Sequence, residues 1–227
     1  HKLIGESPDS WAGYSIASAG DVDGDGRDDL LVGADDDDGG WQAHAAYLVY
    51  ASTLEGVSTL ELEAVDHKFI GEVSYDYASQ VSGAGDVDGD GLDDIIIGAA
   101  GQDNGGSRSG AAYVVLASSL GAEPVFDLAF ADYTLIGERP GSQAGSVVSD
   151  AGDVDGDGLG DVMVGALYHD EQFMNQGAAY VVLGSQLGAH SDVPLSDAAY
   201  QLLGGGTDDY AGVSVAVTPA AVDGSPV

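Results

Sequence analysis

The chain has 227 residues, with 5 Lys+Arg against 39 Asp+Glu, a formal net charge of −34 and no cysteine. That balance argues against nucleic acid and anionic membrane surfaces as partners, because both would repel it, and no disulfide can brace the fold. The length suits one sizeable core. No apolar run approaches the roughly 18 residues of a membrane span, no signal peptide is present, and a chain opening at His1 reads as a processed or excised piece.

In chain order the elements are short. Leu3-Ile4-Gly5-Glu6 reads as an outer-type strand, and Ala12-Gly13-Tyr14-Ser15-Ile16-Ala17 as a strand of small residues. An acidic loop follows, Asp21-Val22-Asp23-Gly24-Asp25-Gly26-Arg27-Asp28-Asp29. It runs into a mostly apolar segment, Asp29-Leu30-Leu31-Val32-Gly33-Ala34, which has the composition of a buried strand. The polar loop Asp35 to Gln42 contains Asp35-Asp36-Asp37-Asp38, read as a solvated run rather than a further site. Ala45 to Tyr50 is the next strand, Ser52-Thr53-Leu54 a short turn at most, and a linker leads to Phe69-Ile70-Gly71-Glu72.

The order then starts again. Gly5, Gly71, Gly137 and Gly204 are spaced 66, 66 and 67 residues apart, and Tyr47, Tyr113 and Tyr180 keep the same period. The units run about 1–66, 67–132, 133–199 and, in part, 200–227, within one domain over 1–227. Each complete unit offers four short strands separated by turn residues, with little helical periodicity. Four antiparallel strands repeated at this length describe a blade of a β-propeller. The fold class is therefore all-β, with about 3.4 blades present.

The acidic loop recurs as Asp86-Val87-Asp88-Gly89-Asp90-Gly91-Leu92-Asp93-Asp94 and as Asp153-Val154-Asp155-Gly156-Asp157-Gly158-Leu159-Gly160-Asp161. Carboxylates at positions 1, 3 and 5 of a tight turn can converge on one centre. A carbonyl at position 7 (Arg27, Leu92, Leu159) and the carboxylate at position 9 can close the shell. Hard oxygen ligands in that number, without His or Cys, suit Ca²⁺ better than Zn²⁺ or Mg²⁺. Asp and Gly are also ordinary residues of solvated turns, but three copies in one register favour metal. The expected ligands are Asp21, Asp23, Asp25, Arg27 and Asp29, then Asp86, Asp88, Asp90, Leu92 and Asp94, then Asp153, Asp155, Asp157, Leu159 and Asp161, for three Ca²⁺ ions. The loop is no EF-hand: position 12 is Val32, Ile97 or Val164 instead of Glu, and strands flank it.

The order of Ala-Gly-x-Ser, Gly-Asp-Val-Asp-Gly-Asp-Gly and an apolar triplet before Gly-Ala resembles the FG-GAP repeat of the integrin α-subunit propeller and its bacterial relatives. The family's Phe-Gly stands here as Ala12-Gly13, Ala78-Ser79, Ala144-Gly145 and Ala211-Gly212, so its Phe is missing throughout. The resemblance implies Ca²⁺ in the hairpin between the first two strands of a blade, closure by seven blades, an extracellular or cell-surface location, and a role in adhesion or recognition of a protein or glycan. In the fourth unit Pro219 to Ser225 keeps only Asp223 of the carboxylate series, so a fourth site is not expected.

No catalysis is expected, because Gly-x-Ser-x-Gly, His-Glu-x-x-His and Gly-Lys-Ser/Thr motifs are missing. His1, His44, His67, His169 and His190 share no ligand spacing. A hydrolase on the scaffold and a passive repeat of a larger surface protein are the alternatives. The variable loops carry Trp41, His44, Arg108 and Phe173. Open blade edges predict self-association.

Overall fold

The computed structural model describes residues 1–7, 10–35, 44–73, 75–188 and 191–216. Asp36–Asp38, Trp41, His190 and the Pro219–Ser225 segment with Asp223 lie outside the described residues. The described chain is built of β-strands: β1 (Lys2–Ile4), β2 (Ser15–Gly20), β3 (Asp29–Ala34), β4 (Ala45–Val49), β5 (Thr59–Glu61), β6 (His67–Ile70), β7 (Ala78–Gly85), β8 (Asp94–Ala99), β9 (Ala111–Val115), β10 (Val125–Asp127), β11 (Tyr133–Ile136), β12 (Ala144–Gly152), β13 (Asp161–Ala166), β14 (Ala178–Val182), β15 (Asp192–Pro194) and β16 (Tyr200–Leu203). A single helical turn, Ala51–Leu54, follows β4.

Three antiparallel blades result, β2-β3-β4-β6, β7-β8-β9-β11 and β12-β13-β14-β16. Their innermost strands β2, β7 and β12 lie side by side. The linker of each unit holds a three-residue strand that the sequence pattern does not announce. β5 pairs parallel with β1, β10 with β6, and β15 with β11. Each unit thus reaches back and covers the outermost strand of the blade before it. Three residues are too few to show alternation, which is why the pattern passes over them. In the fourth unit no strand forms beyond β16 among the described residues. Ala211 makes an isolated parallel bridge to Gly177, as Ala144 does to Gly110. In the complete units the innermost strand is held by its hairpin partner beyond the acidic loop, and no such partner is described after Gly212. The first strand begins at Ser15, three residues later than its composition suggests, because Trp11 to Tyr14 form a turn whose Gly13 and Tyr14 amides donate to the Gly33 carbonyl.

The core lies between the blade faces. Ile95, Ile96 and Ile97 are each fully buried, so β8 is covered on both sides. Ile95 and Ile97 pack with Leu31, Val81 and Ala19 toward the first blade, whereas Ile96 packs with Val148, Val162 and Val164 toward the third. Burying a side chain of this size stabilises the fold by about 1.5–3 kcal/mol. Close approach of the blades depends on the Gly of each Gly-Ala pair. A Cβ on Gly33, Gly98 or Gly165 would lie 1.9, 2.1 or 2.3 Å from the carbonyl oxygen of Ser79, Gly145 or Gly212 in the next unit.

A buried Tyr beside the Glu of an Ile-Gly-Glu motif recurs in the second and third units. Tyr113 Oη donates to Glu72 Oε1 at 2.8 Å, and Glu138 stands beside Tyr180, where the burial of the ring and the Glu138 charge raise the phenol's pKa. The Glu of the Ile-Gly-Glu motif therefore ties the end of one blade to the third strand of the next. Gln102 stands beside Tyr113, and its place in the third unit is taken by His169, whose Nδ1 lies 3.2 Å from Tyr180 Oη. Burial lowers the pKa of His169 below its usual 6.5. Above that value both folded and unfolded chains hold the ring neutral. Below it the unfolded chain takes a proton that the folded chain resists, so stability falls. His169→Gln, the substitution the second unit already carries, should retain the bond to Tyr180 and remove this loss. Urea titrations at pH 7 and pH 5 check it: the variant's advantage should be larger at pH 5, and an advantage that does not change with pH contradicts the assignment.

Candidate metal centres

The acidic loops join the innermost strand of each blade to the second. Two glycines in each take left-handed backbone, Gly24 and Gly26 (φ 75° and 86°), Gly89 and Gly91 (80° and 93°), and Gly156 and Gly158 (80° and 94°). Side chains rarely adopt such values, so position 4 needs Gly as much as position 6. The turn is tightened by its own carboxylates. Asp86 accepts from the amides of Gly89, Asp90 and Gly91 at 2.7–3.1 Å, and Asp153 does the same for Gly156, Asp157 and Gly158 at 2.7–3.0 Å. Position 7 enters through its backbone, with the amides of Arg27, Leu92 and Leu159 donating to Asp25, Asp90 and Asp157.

The carboxylates converge in threes. Oxygens of Asp21, Asp23 and Asp29 lie within 4.8 Å of one another, as do those of Asp86, Asp88 and Asp90, and those of Asp153, Asp155 and Asp161. Positions 1 and 3 thus meet in all three loops, joined by position 9 in the first and third and by position 5 in the second. Asp25 stands apart, held in an ion pair by Arg27, whose guanidinium also reaches Glu55. The hydrogen bond from Arg27 keeps the Asp25 carboxyl below its ordinary pKa. Leu92 at the same place in the second loop makes no such demand on Asp90. Asp157 in the third loop caps Leu159 and lies outside its cluster.

Position 9 also holds the hairpin together. Asp29, Asp94 and Asp161 are buried. One oxygen accepts from the position 2 amide (Val22, Val87, Val154) and the other from the residue after the third strand (Ala51, Ala117, Gly184). Burial raises all three pKa values, that of Asp94 to about 7. The nearby carboxylates Asp23, Asp88 with Asp90, and Asp155 with Asp157 add to it. A bound cation would favour the charged form of these carboxylates and so oppose both effects. Most direct is Asp21 Oδ1, which is buried and has no hydrogen-bond partner. A buried oxygen without a donor is costly, and a hard cation is the natural partner for one set among carboxylates. The residues present fit Ca²⁺.

Successive loops are coupled. The Asp93 amide donates to the Asp21 carbonyl, and its carboxylate accepts from the Asp21 amide at 2.8 Å. The Gly160 amide donates to the Asp86 carbonyl at 2.7 Å. A Cβ on Gly24 or Gly89 would meet Leu92 or Leu159 of the next loop at 3.0 or 3.2 Å, so the position 7 side chain covers the loop before it. The sequence pattern misses these contacts because they run between repeats. It also misses Asp66 and Asp132, which accept from the amides of Tyr50 and Leu116 at 2.8 Å; their 66-residue spacing was the available signal.

Residues 12–50 and 77–115 match the family model of the FG-GAP repeat. Each match runs from the start of an innermost strand through the third strand of its blade and spans the acidic loop. No curated protein matches the chain significantly. The third blade repeats the layout with its own acidic loop, and no helix among the described residues is long and apolar enough to cross a membrane. Residues 12–50 and 77–115 are thus similar to FG-GAP repeats and lie in successive blades of the fold.

Proposed function

We propose that the protein is a calcium-stabilised propeller of the integrin α type that serves recognition or adhesion outside the cell or at its surface. The observation that carries the calcium reading is the convergence of three carboxylates in each of three loops, one with a buried oxygen lacking a partner. The proposed ligands are the position 1, 3, 5 and 9 carboxylates with the position 7 carbonyl, in all three loops. The ion's part is structural: it cancels the repulsion of crowded carboxylates and pins the hairpin between the first two strands. It performs no chemistry on a bound partner, and the chain is proposed as a binding protein rather than an enzyme. The integrin-like repeat and the large negative charge, suited to a solvated surface, support the location.

Calorimetric titration with calcium tests the reading. It is expected to find three sites, the first weakened by the Arg27–Asp25 pair. Arg27→Leu, which restores the residue found in the other loops, should tighten the first site about tenfold by freeing one carboxylate. A first site unchanged by this substitution would show that Asp25 takes no part in binding.

A further inference from the structure

The innermost strands end at the acidic loops. At their other end, where β2, β7 and β12 begin, a cleft of about 410 Å³ opens, a size in the range of small-molecule sites. Its lining comes from the same repeat positions in successive units. Tyr14, Gln80 and Ser146 are equivalent, as are Asp35, Ala100 and Leu167, and Tyr77 and Gln143. Scaffold positions, namely the loop Asp and Gly residues, the Gly-Ala pair and the buried Tyr, are the same in all three units. The cleft positions differ in every one. The fold does not dictate these residues, yet they converge on one cavity.

Arg108 is the side chain that distinguishes this cleft. It sits in left-handed backbone (φ 53°), fixed by its amide donating to Asp103 Oδ1 at 2.6 Å and its carbonyl accepting from Gln143 at 3.2 Å. The equivalent residue in the next unit is Asn175 (φ 50°), a type that tolerates this conformation, whereas Arg does not favour it. Arg at this place therefore costs stability that Asn would not. Its guanidinium lies 6.0 Å from the centre of the Tyr77 ring, and no hydrogen bond or ion pair engages it among the described residues. Strained positions that persist without a structural gain mark ligand sites.

The chemistry of the lining selects a ligand class. Two phenol rings, Tyr14 and Tyr168, 52% and 39% exposed, offer flat apolar faces beside hydroxyls, while the Tyr77 ring is met by His44 at 4.6 Å and by Arg108. Gln80 and Gln143 each donate and accept. Arg108 supplies a planar fork of donors and Asp35 a pair of acceptors, although Asp35 is also met by Ser79 Oγ at 3.4 Å and His44 Nδ1 at 3.2 Å. One cation and one anion leave the lining with no net charge, in a molecule of charge −34. A polyanion would be repelled on approach, and a cation would be drawn to acidic surface everywhere. A neutral ligand with many hydroxyls and flat C–H faces satisfies the whole set. We infer that this cleft binds a neutral saccharide. The inference rests on the recognition reading above, but not on calcium.

The test titrates the calcium-saturated full chain with neutral mono- and disaccharides, each at up to roughly 10 mM, and with their uronic acid counterparts. Arg108→Asn and Tyr14→Ser carry residues that the protein already uses at the equivalent positions, so the fold should tolerate both. The expected result is binding of at least one neutral saccharide, weakened about tenfold or more by each variant, while the melting temperature of Arg108→Asn is equal to or above that of the parent. Absence of binding to every neutral saccharide, binding of the uronic acids alone, or binding that survives both variants overturns the inference. The calcium reading is judged separately by calcium titration, and a chain that binds saccharide but no calcium leaves this inference standing.

Discussion

Chelation of calcium should lower the melting temperature of this protein by roughly 5–10 °C for each site emptied. An ion that binds only the folded chain at 100 times its Kd contributes about 2.7 kcal/mol, and for a chain of this size each kcal/mol moves Tm by about 2–4 °C. The structural ground is the crowding of carboxylates in each loop. Buried carboxylates at position 9 have raised pKa values, and Asp21 Oδ1 has no partner. The loops are also bonded to one another through Asp93 and Gly160, so losing one ion should loosen its neighbour and make the combined effect greater than the sum. Calorimetric scans in calcium and in chelator at equal ionic strength check this. Coincident transitions would mean that the ion has no structural role.

Gly98→Ala should destabilise the second blade by about 3 kcal/mol. The new Cβ would lie 2.1 Å from the Gly145 carbonyl oxygen, a backbone atom of β12 that cannot step aside without separating the second and third blades. That separation would expose the face holding Ile96, Val148, Val162 and Val164. Gly121→Ala serves as the control, because a Cβ there meets nothing within 4 Å and the backbone is not left-handed, so its effect should stay within about 0.5 kcal/mol. Urea unfolding in saturating calcium reads both. A cost below about 1 kcal/mol for Gly98→Ala would show that the blades can shift apart freely.

Most of the blade was legible because its determinants are local and repeated. The apolar triplet before Gly-Ala, the small-residue strand and the Tyr of the third strand each recur at about 66 residues, and each lands on the expected strand. The loop carboxylates were legible for the same reason. What the sequence hid is what passes between repeats. β5, β10 and β15 are defined by a partner in the preceding unit, not by their own three residues. The pairing of Glu72 with Tyr113 joins residues 41 apart that no pattern relates. The unequal membership of the three clusters, with position 5 in the second and position 9 in the first and third, has no counterpart in the repeat pattern. The cleft was the least legible part, because its residues are scattered and differ from unit to unit.

One ion is expected in each acidic loop, and calcium per chain can be counted. After saturation and gel filtration, elemental analysis of the intact protein should give about three ions per chain, and Asp88→Ala should give about two. Zero or one in the parent chain, or an unchanged count in Asp88→Ala, would contradict the account.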